Sequence, residues 1–153
     1  MPAAEWLGTP MTNAVTGQEF TVGDYQGKVV LVETMAVWCS KCRSQQEQIR
    51  QLHQDLGDRK ADLVSISLDI DPNEDAQYLA AFVAQTGFDW IYAVAPAELS
   101  RTLGLTYGNQ FLNPPSTPFL IIDRHGGAHP LPFGIKSAEE LRQAIQPYLD
   151  ESM

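Results

Sequence analysis

Residues 28–42 read KVVLVETMAVWCSKC, a continuous apolar and β-branched run that ends on two cysteines separated by two residues. The segment KVVLVETM, residues 28 to 35, has the pattern of a strand buried on both faces. Ser40 to Leu56 follows as a helix. Its apolar positions Ile49, Leu52 and Leu56 recur at three- and four-residue steps, and Gly57 stops it. Cys39 therefore falls where a buried strand gives way to a helix, and Cys42 lies one turn in.

The same alternation continues outward. ADLVSISLDI (61–70) reads as a second buried strand, and NEDAQYLAAFVAQTG as a second helix, with acids in its first turn and Gly87 just past its end. WIYAV is a short strand, and PAELSRTLGL a short helix opened by proline. TPFLIID (117–123) is a further strand that turns at RHGG. AHPLPFG is an edge strand, because two prolines cannot donate to a central ladder. SAEELRQAIQPYL opens with Ser137 and has Glu140 three residues on, a capping box for the last helix. Upstream, TNAVTGQEFTVGDYQGK alternates short apolar positions with turn residues and reads as a small hairpin. The segment YGNQFLNPPS (107–116) is the longest irregular loop. Together these predict an α/β layer fold with a mixed central sheet and helices on both faces. A single domain spans 1–153, with 1–27 as an N-terminal hairpin extension.

A chain of 153 residues suits one core that needs no staple. Hydrophobic content of 44% and charged content of 19% are those of an ordinary globular protein. Ten basic against nineteen acidic residues give a net charge of −9 and a pI near 4.6. That balance argues against nucleic acid or an anionic membrane as a partner, since both reward Lys and Arg. No apolar run approaches the roughly 20 residues that span a bilayer. The opening MPAAEWLGTP has neither a basic nor an apolar leader region, so no signal peptide is expected there.

The two cysteines are too close to serve as a structural clamp, because their disulfide would close almost no loop. A thiol at a helix N-terminus sits near the positive end of the dipole, beside unpaired backbone N–H groups. Both favour thiolate and pull the pKa from about 8.5 toward roughly 3.5–7.5. Cys39 is thus the expected nucleophile, with Cys42, more shielded, placed to resolve a mixed disulfide. A zinc site would need two further ligands, and only His53, His125 and His129 are available. Two inert buried thiols would have no need of a helix start. The spacing favours redox chemistry.

GKVVLVETMAVWCSKC followed by STPFLIIDRHGG resembles the thioredoxin superfamily, and within it the TlpA/ResA-like thiol-disulfide oxidoreductases. The likeness runs from about Gly27 to Leu149, with a longer central insertion near 74–86. It implies a thioredoxin-like fold and a redox-active Cys39–Cys42 disulfide, with no other cofactor and no metal. Trp38, before the first cysteine, would shield the pair and support a docked substrate. Pro118 matches the family's cis-proline, which would leave the Thr117 backbone free to pair with an extended substrate. Glu33 stands where thioredoxins carry a buried acid beneath the disulfide. An unpaired carboxylate in an apolar strand is costly and responds with a raised pKa, which suits a proton acceptor for Cys42. The other reading of Glu33 is a buried salt bridge. Lys41 would lower the Cys39 pKa further, unless it points to solvent.

The resemblance also implies partners: protein thiols or disulfides as substrates, and a separate redox protein as electron donor. It implies a monomer working as an extracytoplasmic reductase, in cytochrome c maturation or general thiol repair; a cytoplasmic setting is the alternative. The departures are MAV before the Trp and the Ser40–Lys41 dipeptide, which leave the direction of electron flow open. A copper-binding or redox-sensing module is the rival from another class. Thioredoxin-like copper chaperones resemble a wider Cys-x-x-x-Cys with a His just before the strand at Pro118. Here the spacing is two, and Asn113-Pro114-Pro115 occupies that region. Peroxiredoxins carry a Thr three residues before the reactive Cys, where Ala36 stands. DIDPNED (69–75) half-imitates a calcium loop and reads as strand exit and helix N-terminal acids. His53 is expected to face solvent, and Phe82, Phe88, Trp90 and Tyr92 to fill the core.

Overall fold

The computed structural model describes residues 4–151. Two short strands, β1 (Met11–Thr12) and β2 (Glu19–Phe20), pair antiparallel as a hairpin after a 3-10 turn at Glu5–Gly8. The main sheet contains β3 (Val29–Met35), β4 (Leu63–Asp69), β5 (Ile91–Val94), β6 (Phe119–Ile122) and β7 (Ala128–Pro130), in the order β5-β4-β3-β6-β7. β3 runs parallel to β4, and β4 to β5, while β6 and β7 are antiparallel additions. The sheet is therefore mixed. All seven residues of β3 are buried because it is the middle strand and both its faces are covered.

The pleat sends alternate residues of β3 to opposite layers. Val30 and Val32 join Ile66, Leu68, Leu120 and Ile122 under helix α3 (Ala97–Tyr107), where the N-terminal Trp6, Met11 and Phe20 also pack. Val29 and Leu31 face helices α1 (Ser40–Leu56) and α4 (Ala138–Leu149) through Ile49, Leu52, Leu141 and Ile145. Helix α2 (Ala76–Thr86) closes a third cluster with Leu79, Phe82 and Val83 around the cysteines. Each wholly buried Leu or Ile on these faces contributes about 2 kcal/mol.

Helix ends follow their residues. Asp75 caps α2 by accepting the Tyr78 N–H (2.8 Å), and Gly87 ends it in the left-handed region (φ 74°). Ser137 and Glu140 form both bonds of the capping box on α4. Ser137→Ala should therefore lower stability by about 1 kcal/mol, read as a urea midpoint shift at unchanged slope.

Two expectations change here. His53 is buried (9% exposed), bonded to Ser65 Oγ (2.8 Å) and edge-on to Trp90, with its pKa lowered to about 4 by burial. Position 53 is four residues after Ile49, so it shares the apolar stripe of α1. The segment 107–116 is not wholly irregular. It contains 3-10 turns at Asn109–Leu112 and Pro114–Ser116, the second pre-set by proline and tied by Asn113 Nδ2 to Ser116 Oγ (2.9 Å).

Candidate active site

β3 ends at Met35 and the chain turns through Ala36–Trp38, with the Cys39 N–H bonded to the Ala36 carbonyl (3.2 Å). Cys39 is the N-cap of α1. Its extended backbone (φ −85°, ψ 106°) turns Sγ back over the first turn, where it accepts the Cys42 N–H at 3.1 Å. That donor, with the helix dipole, stabilises negative charge on Cys39 when the pair is reduced. The two cysteines form a disulfide, their Cα atoms 5.2 Å apart.

Sequence reasoning ranked Cys42 as the more shielded sulfur. In the structure both residues are buried, Cys39 at 2% exposed and Cys42 at 1%, because both join the cluster of Met35, Phe82 and Tyr92. Cys42 Sγ lies 3.3 Å from the Pro114 carbonyl oxygen, which can accept the Cys42 S–H once the disulfide is reduced.

Glu33 projects from β3 to the face covered by α1 and is 2% exposed. Among the described residues no cation pairs with it, so the salt-bridge reading has no support. It is held instead by neutral donors. Ser67, its register partner on β4, donates its hydroxyl to Glu33, and Trp90 Nε1 donates to Ser67 Oγ (2.9 Å). Burial pushes the Glu33 carboxyl up to about 8, against the opposing pull of Ser67 and Gln46. Gln46 accepts the Tyr92 hydroxyl (2.7 Å) and stands one helical turn beyond Cys42 on the same face of α1. A protonatable acid thus lies on the same face of β3 that α1, the helix carrying Cys42, covers.

Trp38 is 58% exposed, and its indole N–H donates to Asp71 Oδ2 at 2.7 Å. Lys41 is exposed and, among the described residues, makes no ion pair.

The expected cis-proline is corrected. No cis peptide bond occurs among the described residues, so Thr117–Pro118 is trans. The chain reverses instead at Thr117, the one non-glycine residue described with positive φ (φ 47°, ψ 60°). This conformation is costly for a β-branched side chain. The Thr117 N–H is taken by the Pro114 carbonyl (2.9 Å), so that donor is not free for a substrate.

Beside the disulfide lies a groove of about 850 Å³, which Trp38 and Pro114 both line. Its far wall is α3 with Arg101 and Leu105, and its rim carries Asp71 and Glu74. Sequence reasoning missed this wall. The only sequence signals were apolar residues at exposed helical positions, Leu105 at 77% and Leu112 at 39% exposed.

The comparisons agree with this geometry. The Redoxin family model matches residues 1–127. No curated protein matches the chain. Among solved structures, the chain is similar to a thiol:disulfide interchange protein of the thioredoxin family from Chlorobium tepidum TLS. That pair has 19% identity and a TM-score of 0.73, over 95% of this chain and 98% of the other. It is similar to a secreted disulfide oxidoreductase from Mycobacterium tuberculosis at 16% identity and TM-score 0.73, over 95% and 99%. A secreted thiol-disulfide isomerase from Corynebacterium glutamicum gives 14% and 0.74, over 94% and 84%. At these identities the likeness establishes the thioredoxin-like fold.

Proposed function

The chain belongs to the redoxin family and is a thiol-disulfide oxidoreductase, and from that footing we propose that it works as a reductase of protein disulfides. The Cys39 thiolate attacks a substrate disulfide and forms a mixed disulfide, releasing one substrate thiolate. Cys42 then attacks Cys39 Sγ, its proton passes to Glu33, and the second substrate thiolate leaves. The substrate gains two electrons and the Cys39–Cys42 dithiol becomes the disulfide. A separate dithiol redox protein returns it to the reduced state. Trp38 and the groove beside it receive the substrate chain.

The observation that carries the reducing direction is the electrostatic setting of Cys39. One backbone N–H and the dipole favour its thiolate, while Asp71 and Glu74 line the groove beside it and Lys41 is exposed. A strong oxidant needs a strongly stabilised reduced form, and this site offers little cationic help. Cytochrome c maturation or general thiol repair in an extracytoplasmic setting fits such a reductase, and two of the similar structures are of secreted proteins.

Equilibrium titration of the couple against dithiothreitol and glutathione is the test, with Cys42→Ser as control. A potential at or below about −270 mV is expected, and one near −120 mV overturns the reducing direction. A chain that forms no disulfide across that range is not a redox enzyme, and retention of Cu(I) would then mark it as a metal carrier.

A further inference from the structure

We propose that Asp69 and Glu74 are positioning residues for this exchange, a carboxyl pair that shares one proton and clamps the Val37–Trp38 step immediately before Cys39. The inference rests on the reading of Cys39 as nucleophile only for its kinetic consequence.

Asp69 is the last residue of β4 and is wholly buried. Its backbone is pinned on both sides, since Ile70 N–H bonds the Met35 carbonyl (3.0 Å) and Ala95 N–H the Asp69 carbonyl (2.9 Å). Oδ1 accepts the Asp71 N–H at 3.0 Å. Oδ2 is buried and receives no donor from any described group, and the neighbouring Glu74 carboxyl is one of the groups that raise the Asp69 pKa. Two carboxyls can share a hydrogen bond only when one of them holds a proton.

Glu74, itself 8% exposed, uses Oε1 to accept the Val37 N–H at 2.8 Å. One residue on, the Trp38 indole is held by Asp71. Residues 69–75, which in sequence half-imitate a calcium loop, therefore hold both residues that lead into the nucleophile.

Burial, and then the bond to Glu74, push Asp69 up to about 8. The charged groups around it are Asp71 and Glu74 from its own loop and the α2 cap Asp75, which is bonded to Tyr78 N–H. Arg101 stands across the groove on α3, and Glu33 lies on β3 two residues before Met35, the register partner of Asp69. The partner on β5, Val94, carries no charge. When the shared proton is lost, two carboxylates face each other in a buried site and repel. The Val37 bond weakens and the segment before Cys39 loosens.

The three tryptophans give separate readouts, because Trp6 donates to Tyr107, Trp38 to Asp71 and Trp90 to Ser67 beside Glu33. In the oxidised ¹⁵N-labelled protein, with peaks assigned through Trp→Phe variants, the Trp38 indole signal should shift with a midpoint near pH 8. Asp69→Asn keeps a donor toward Glu74 at every pH, so the Trp38 shift should vanish. The Trp90 signal should still titrate with Glu33 in that variant, and the Trp38 shift should persist in Glu33→Gln. In the reduced protein, Asp69→Asn should retain attack rates above pH 8 that the wild type loses severalfold.

A Trp38 signal that titrates equally in Asp69→Asn, or not at all in the wild type, overturns the proposal. If Asp69→Asn does not fold, the ¹³C carboxyl signal of Asp69 in the wild type decides. A midpoint in the ordinary Asp range would end the proposal, and one near 8 would support it. None of these signals needs turnover, so failure of the reductase reading would leave them intact.

Discussion

Cys39→Ser should lower disulfide reduction by on the order of 10⁵-fold, while Cys42→Ser should accumulate the mixed disulfide. The two effects differ because the sulfurs do different work. Cys39 holds the N-cap position and receives the Cys42 N–H, so its thiolate is the stabilised one. A serine hydroxyl in the same place caps the helix equally well but does not ionise at neutral pH. Removing Cys42 leaves the attack intact and deletes the escape. The captured species should migrate as a covalent adduct on non-reducing gels and disappear with dithiothreitol. Capture through Cys42 in Cys39→Ser, at a rate similar to that of Cys39, would reverse the assignment. Access matters too, since Cys39 is buried and a substrate must enter past Trp38.

Glu33→Gln should stabilise the oxidised protein at alkaline pH and slow exchange there. Glu33 is pushed up to about 8 from an ordinary 4.5, so between those values the folded chain holds a proton that the unfolded chain has released. Stability contributed by the neutral acid is complete below about pH 4.5 and falls as pH rises through 8. The loss over that window is on the order of 4 kcal/mol. Glutamine keeps the shape and the acceptor for Ser67 without that slope. The two proteins should have similar urea midpoints at pH 4 and diverge steadily to pH 9, with the variant higher. Asp69 adds a slope of the same sign to both proteins, so their difference isolates Glu33. Curves that run parallel across the range would mean that folding does not raise the Glu33 pKa. Exchange should fall by about 10²-fold where Glu33 is ionised and can accept a proton, near pH 8 to 9, and the fall should be smaller at pH 6, where Glu33 already holds one.

The place of the cysteine pair at a strand–helix junction and the burial of Glu33 were legible because local rules decide them. A strand buried on both faces, then a helix, then thiols at the junction is a pattern carried by neighbouring residues. An acid in the middle of such a strand has few physical excuses. His53 was misread although its spacing from Ile49 was available, because a polar type was weighed above its position in the stripe. Asp69 and Glu74 look, in sequence, like solvated acids before a helix. Only the pairing of β4 with β3 and β5 seals Asp69 from water and carries Glu74 to the Val37 N–H.

Alternating periodicities and turn residues by themselves determined the elements, the mixed sheet and the place of the redox pair, since those follow from which local conformations each segment can bury. The groove wall on α3, the burial of both cysteines and the Glu74 bond to Val37 behind Trp38 were decided by tertiary structure. Each depends on contacts between residues some 30 to 75 positions apart, as between Val37 and Glu74 or Cys42 and Pro114. No local propensity encodes such a meeting, because its cost and its gain arise only when the layers close and water is excluded.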